Sequence, residues 1–182
     1  PECLCATITG GPHQEVNAIG EATILALNSA AKRIWIMTPY FIPDGLLIGI
    51  LRIANYKGVD IKIIVPAKNN KVFVKRASRA YYPLLLQAGV KIYEYDGMVH
   101  AKVGIIDDNL IYIGSANIDQ RSFRLNFELS SFIESEKLNE KFVSVFESVF
   151  KQCTEIKPAN YKKLPWHTRV IDAFFHLFSP LL

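Results

Sequence analysis

The chain has no stretch of eighteen or more apolar residues among its 182 positions, so no transmembrane helix is expected. Cysteine is scarce. Of three cysteines, Cys3 and Cys5 share one face of an expected strand and Cys153 lies far along the chain. That spacing supports neither a disulfide framework nor a zinc site, and it points to a reducing compartment. A dominant charge sign is also missing: 21 Lys and Arg against 17 Asp and Glu leave a net charge of +4. This excess fits an anionic substrate or surface but is too small to indicate a nucleic-acid binder by itself. The opening PECLCATITGGPHQEV has neither a basic n-region nor an apolar h-region, so it does not read as a secretory signal. It begins in strand-like residues without a Met, which is the expectation for a piece of a longer protein. The sequence shows no internal repeat and no low-complexity segment. It is 50% apolar and 21% charged, a globular composition with enough length for a sizeable core.

Hydrophobic periodicity predicts strands at residues 3–9, 34–41, 59–66, 90–96 and 127–134, and helices at 14–32, 45–57, 72–88 and 138–152. Gly10-Gly11-Pro12 ends the first strand. Asp44 suits an N-cap, Gly58 closes the helix that follows, and Pro83 is expected to kink or divide the helix at 72–88. Strands alternating with helices, plus one hairpin, predict a layered α/β domain with a mixed sheet. Residues 1–155 are expected to form it, with 156–182 as an apolar tail.

The hairpin is VHAKVGIIDDNLIYIGSAN, residues 99–117. Alternate residues of a strand share a face, so His100 and Lys102 project together. Asp108-Asn109 suits a two-residue turn, because both tolerate positive φ. Lys102 then faces Ser115 and His100 faces Asn117, gathering four polar groups on one patch. A three-residue turn would reverse the face of the second strand. By the same parity Asp107 points away from His100 and reads as a support residue. Both strands are apolar on both faces, as expected inside a covered sheet.

These residues spell HxKx4D followed by GSxN: His100, Lys102, Asp107, then Gly114, Ser115 and Asn117. Six fixed residues, each near 5% usage, coincide by chance on the order of once in 10⁷–10⁸ windows. The pattern is the signature of the phospholipase D superfamily, and the chain resembles it over most of its length. TPYFIPD at 38–44 and NIDQRSFRLNFE at 117–128 resemble the C-terminal half of bacterial cardiolipin synthases. The resemblance implies a phospholipase D-like α/β/α fold that uses no metal and no organic cofactor. It also implies two HxK motifs from two similar halves meeting at one site, with one histidine forming a phosphohistidine and the other exchanging protons. The reaction it implies joins two phosphatidylglycerol molecules into cardiolipin and releases glycerol, at the cytoplasmic side of a bacterial membrane. It places His100, Lys102, Asp107 and Glu128 in the catalytic set, Glu128 orienting the histidine, with Ser115 and Asn117 as substrate-binding donors.

The chemistry of these side chains is consistent with that set. An imidazole serves as a nucleophile and exchanges protons near neutral pH. A lysine supplies a point charge for a phosphodiester oxygen, and amide and hydroxyl donors meet charge building on the equatorial oxygens. One departure is large: His13, His167 and His176 lack a lysine two residues on, so the chain carries a single HxK. The second is expected from an N-terminal half of the same protein or from a second copy. Competing functions are a phospholipase D-type phosphodiesterase (a lipid hydrolase or a homodimeric nuclease) and a non-catalytic half that binds anionic lipid. The apolar tail and modest charge weigh against nucleic acid.

Other features carry weaker expectations. Tyr40 and Phe41 either line the substrate pocket or belong to a two-proline structural turn. Lys68, Lys71, Lys75, Arg76 and Arg79 read as a solvated face or a headgroup contact. Arg121 and Arg124 meet a headgroup or support their loop, and Tyr81-Tyr82-Pro83 reads mainly as packing. At 164–182, Arg169, Asp172, His176 and Ser179 make a narrow polar stripe on an apolar helix, which packs on the domain or lies on a membrane with Trp166 at headgroup depth.

Overall fold

The isoleucine-rich segments RIWIM and DIKIIVP are apolar on both faces and occupy the centre of the molecule. The computed structural model describes residues 3–68 and 72–159. In chain order the elements are β1 (Leu4–Gly10), α1 (Ala18–Asn28), β2 (Arg33–Met37), α2 (Gly45–Tyr56), β3 (Asp60–Pro66), α3 (Val72–Ala80) and α4 (Tyr82–Gln87). There follow β4 (Lys91–Tyr95), β5 (Val103–Ile106), β6 (Leu110–Gly114), α5 (Gln120–Arg124), β7 (Glu128–Glu134), α6 (Glu136–Phe150) and β8 (Cys153–Ile156). Eight strands form one mixed sheet in the order β1-β7-β6-β5-β2-β3-β4-β8. β2, β3 and β4 run parallel, joined through helices as parallel neighbours require. The remaining neighbours are antiparallel.

Helices cover both faces, giving the expected α/β/α layering. Leu27, Leu51 and Leu85 pack with Ile36 and Ile63 on one face, each almost fully buried. On the other, α6 lays Leu138, Phe142, Phe146 and Phe150 against Trp35, Val103 and Ile105. Each such side chain contributes roughly 1.5–3 kcal/mol by leaving water. Phe150 meets Trp35 edge-on at 5.2 Å between centroids, and Lys62 Nζ sits 4.2 Å from the Trp35 ring.

Several elements differ from the sequence reading. The helix expected at 14–32 is shorter, because Asn17 caps it by accepting from Gly20 N–H at 3.1 Å. The strand expected at 34–41 ends at Met37; Thr38 N–H still donates to Ile64 O at 3.1 Å, and Pro39, with no N–H, cannot continue the ladder. Pro83 does divide its helix: α3 ends at Ala80, and α4 holds the proline in its first turn, where a missing N–H costs nothing. α5 and β8 were not anticipated, and β8 extends the sheet to Ile156. The tail helix expected at 164–182 lies outside the described residues. Among the described residues no helix is long and apolar enough to cross a membrane.

The main correction concerns the hairpin. Ile106 pairs with Leu110, so the turn has three residues, Asp107, Asp108 and Asn109. The extra residue is Asp107, held at φ 52° by its neighbours. Its carboxylate accepts the backbone N–H groups of Ala31, Lys32 and Arg33 at 2.7–3.1 Å, and its own N–H donates to Arg33 O. Asp108 pairs with Lys32 and Arg33. These bonds clamp the turn to the start of β2 and reverse the face of β6, so Lys102 stands opposite Gly114, not Ser115. Asp107→Ala removes a charged acceptor from three donors. It is expected to cost about 2 kcal/mol in urea unfolding of the full-length protein. A loss below about 0.5 kcal/mol would show that the clamp is dispensable.

Candidate active site

The parallel strands β2, β3 and β4 all end at one rim of the sheet, and β5 starts there because Met37 pairs with Val103. In open α/β sheets this rim is where ligands bind. The chain brings five segments to it: residues 38–44 after β2, His100–Lys102 before β5, Ser115–Asp119 after β6, Asn126–Glu128 entering β7, and Gly10–His13 after β1.

His100 and Lys102 come together as the alternation predicts. Lys102 Nζ lies 3.3 Å from His100 Nε2 and donates to His100 O at 3.0 Å. Burial pulls the Lys102 ammonium down from the ordinary lysine range, while the charges of Glu128 and Asp119 hold it up. The ladder accounts for Glu128. Gly114 pairs with Ser130 and Gly10 with Glu128, so Glu128 points to the same sheet face as Lys102. Its Oε1 accepts from Asn126 Nδ2 at 3.2 Å, and Asn126 Oδ1 accepts from Arg121 Nε at 3.4 Å. Arg121 therefore supports this loop; both it and Arg124 are exposed.

Ser115 lies at the rim but turns to the opposite face. Its Oγ accepts Leu129 N–H at 3.0 Å and clasps β6 to β7. Asn117 Nδ2 donates to Ser122 Oγ at 3.2 Å, and its Oδ1 is buried without a partner. Asp107 sits at the far end of the hairpin, in the clamp described above. Of the six residues expected at the site, His100 and Lys102 touch, Glu128 shares the Lys102 sheet face and its charge acts on that lysine, Ser115 and Asn117 lie in the segment that follows β6 at the same rim, and Asp107 is distant.

One residue the sequence reading passed over stands at the centre. Asp119 is 5% exposed and accepts Ser122 N–H at 2.6 Å as the N-cap of α5. Burial, then the charge of Glu128, pushes its carboxyl above the ordinary range, against hydrogen bonds from Ser122 and Asn117. The D-x-x-S spacing of Asp119 and Ser122 is an N-cap signal that could have revealed it. The TPYFIPD loop lies alongside: Phe41 bridges to Ile118, and Ile42 N–H donates to Ile118 O at 2.8 Å. Phe41 is buried, and burial followed by the Asp119 charge raises the half-buried Tyr40 phenol. In the basic run, Arg79 is tied to Glu94 at 2.9 and 3.0 Å, and Glu94 also accepts from Tyr82 Oη at 2.9 Å. Arg79 is thus a partner in an internal network and not a solvated cation. Lys68 pairs with Asp96 at 3.1 Å, and Lys71 lies outside the described residues.

Comparison with known proteins agrees with this geometry. Residues 23–150 match the family model described as "Cardiolipin synthase, PLD-like domain". The chain is 41% identical over 176 residues to cardiolipin synthase 2 of Bacillus cereus, covering 96% of this chain and 34% of that protein. It is 39% identical to the cardiolipin synthase of Geobacillus thermodenitrificans, covering 96% and 35%. The chain thus spans about a third of the length of these relatives. Its fold matches phosphatidylserine synthase of Haemophilus influenzae with TM-score 0.76 at 14% identity, over 99% of this chain and 48% of that one. It matches the phospholipase D family member Nuc of Salmonella typhimurium with TM-score 0.68 at 22% identity, over 85% and 99%. A signature hairpin, a mixed eight-stranded sheet and two-fifths identity along nearly the whole chain lead to one assignment: this chain belongs to the phospholipase D-like domain family of the cardiolipin synthases.

Proposed function

We propose that this chain is a catalytic half of a cardiolipin synthase, moving the phosphatidyl group of one phosphatidylglycerol to the hydroxyl of another. The observation that carries the reading is the His100–Lys102 pair, 3.3 Å apart on the rim, with the Glu128 charge acting on the lysine and Asn117 in the segment that follows β6 at the same rim. Lys102 and Asn117 bind the non-bridging oxygens of the phosphodiester and stabilise the charge that builds on them. Glu128 offsets the Lys102 charge and favours the imidazolium that forms beside it.

In the first step one imidazole nitrogen attacks phosphorus, and the bond from phosphorus to the glycerol oxygen breaks. The departing oxygen takes a proton from a second imidazole, releasing glycerol. In the second step that imidazole removes the proton of the acceptor hydroxyl, whose oxygen attacks phosphorus as the phosphorus–nitrogen bond breaks. The chain supplies one HxK, and the other comes from the remainder of the longer protein or from a second copy. His100 takes one of the two roles. The substrate sits in a membrane, so the rim faces an anionic bilayer, on its cytoplasmic side. The catalytic unit runs through β8 to Ile156, one residue beyond the expected boundary, and the tail follows it.

The test uses the full-length protein and phosphatidylglycerol vesicles in EDTA. Equimolar cardiolipin and glycerol are expected. Phosphatidic acid in place of cardiolipin would indicate a hydrolase, and cleavage of DNA without lipid turnover would indicate a nuclease.

A further inference from the structure

A helix that packs on one side only is expected to be polar on the other. α2 is not. Leu47, Ile50, Leu51 and Ala54 are buried against the domain. Outward it presents Leu46, Gly49, Ile53 and Tyr56, whose spacing of three, four and three residues aligns them as one stripe. Leu46 is 60% exposed, Ile53 50% and Tyr56 78%. A Cβ built at Gly49 would meet nothing within 4 Å, so no other described residue covers the middle of the stripe. Arg52 is the one charged residue within α2, and Lys57 follows as its C-cap. At about 100° per residue the two fall on opposite borders of the stripe. Both are exposed, and neither pairs with a carboxylate among the described residues. The stripe also has a definite place. α2 starts at Gly45, directly after residues 38–44 of the rim, and Leu46 to Tyr56 runs about 15 Å from there at 1.5 Å per residue.

We propose that the outer face of α2 docks the domain on an anionic membrane, with Leu46, Ile53 and Tyr56 in the interfacial layer and Arg52 and Lys57 on lipid phosphates. The choice of a bilayer as the occupant rests on the reading of the substrate as a membrane lipid. Charge complementarity carries it: an apolar strip with cations on both borders matches a surface that is apolar within and anionic at its headgroups. An interfacial helix enters by about 5–10 Å. That depth holds the adjoining rim at headgroup level, where a phosphodiester is reached without lifting its acyl chains out of the bilayer.

The test places an indole on the stripe. Tyr56→Trp is made in the full-length protein, which is mixed with vesicles of equal phosphatidylglycerol and phosphatidylcholine carrying brominated acyl chains. The emission added by the new indole is read as the difference from wild type. Because the stripe reaches the acyl boundary, bromine is expected to quench about half of that emission or more. Arg52→Glu with Lys57→Glu in the same background should reduce the quenching at least about twofold, since each cation is attracted to the anionic surface. Three results overturn the proposal. Emission spared by bromine but quenched by aqueous iodide would put the face in water. Emission insensitive to both would mean that protein covers it. Quenching unchanged by the charge reversal would remove the role of anionic lipid. Cardiolipin formation is assayed on matching vesicles without bromine. A wild type that makes none while the indole is quenched sinks the transferase reading alone, and turnover without quenching sinks the docking surface alone.

Discussion

His100→Ala in the full-length protein is expected to reduce cardiolipin formation by at least about 10²-fold and up to about 10⁶-fold, with vesicle binding retained. Removing the nucleophile from a working constellation typically costs about 10⁶-fold in kcat, and removing a general acid or base roughly 10²–10⁴-fold. The size of the loss therefore reports which role His100 plays. A second measurement makes the distinction chemical. If His100 is the nucleophile, a quenched reaction of the wild type carries the phosphatidyl adduct on His100. If it is the proton carrier, the adduct forms elsewhere and accumulates in the His100→Ala variant. In either case the neighbour matters, because Lys102 Nζ sits 3.3 Å from Nε2. On the proposed reading, substrate phosphate displaces the lysine from the ring and sets phosphorus next to the nitrogen. Normal product yield from His100→Ala would sink the assignment of this rim as the site of chemistry.

The largest stability effect is expected at Phe146, far from any reacting atom. Its ring is 0% exposed and lies between Trp35 and Phe150, at 6.2 and 6.1 Å between centroids. The same cluster holds Val99 and Val103, which flank His100 and Lys102 in the chain. Phe146→Ala leaves a cavity that rigid strands β2 and β5 close only in part, at a cost of about 3–5 kcal/mol. Hydrogen exchange at the β5 amides of the full-length protein measures this locally. Protection should fall by roughly two to three orders of magnitude, since 1.4 kcal/mol is about tenfold. Phe146→Leu fills most of the space and should lose about 1.5 kcal/mol or less. Equal protection in wild type and Phe146→Ala would mean that α6 does not support the rim.

Much of the fold is visible in the chain. The Ile-rich strands, the Asp44 cap and the Pro83 break each rest on a local rule, and local rules survive packing. The signature His100, Lys102, Gly114, Ser115 and Asn117 led to the correct family because its spacing can be read from the chain without any knowledge of packing. Two things were not legible. The hairpin register depended on whether Asp107 belongs to a strand or to the turn. That was decided by three backbone donors at Ala31–Arg33, more than seventy residues away in the chain. Asp119 was passed over because a carboxylate one residue beyond an apolar position looks exposed. The 38–44 loop returns against the neighbouring Ile118, and Asp119 ends up buried. Both misses are tertiary overrides of local pattern.

The clamp at Asp107 has a consequence for how this hairpin tolerates change. Side chains on a strand alternate with period two. Inserting or deleting one residue between Ile106 and Leu110 would turn every side chain of β6 to the other layer and bring a side chain to the Gly114 position, where a Cβ would collide with Leu129 O. A two-residue change restores the alternation. Length variation in this turn should therefore occur in even steps, although the turn lies about 13 Å from the rim it governs, at 3.3 Å per residue over four residues. The turn acts as a parity bit for the chemistry at the opposite end of the strand.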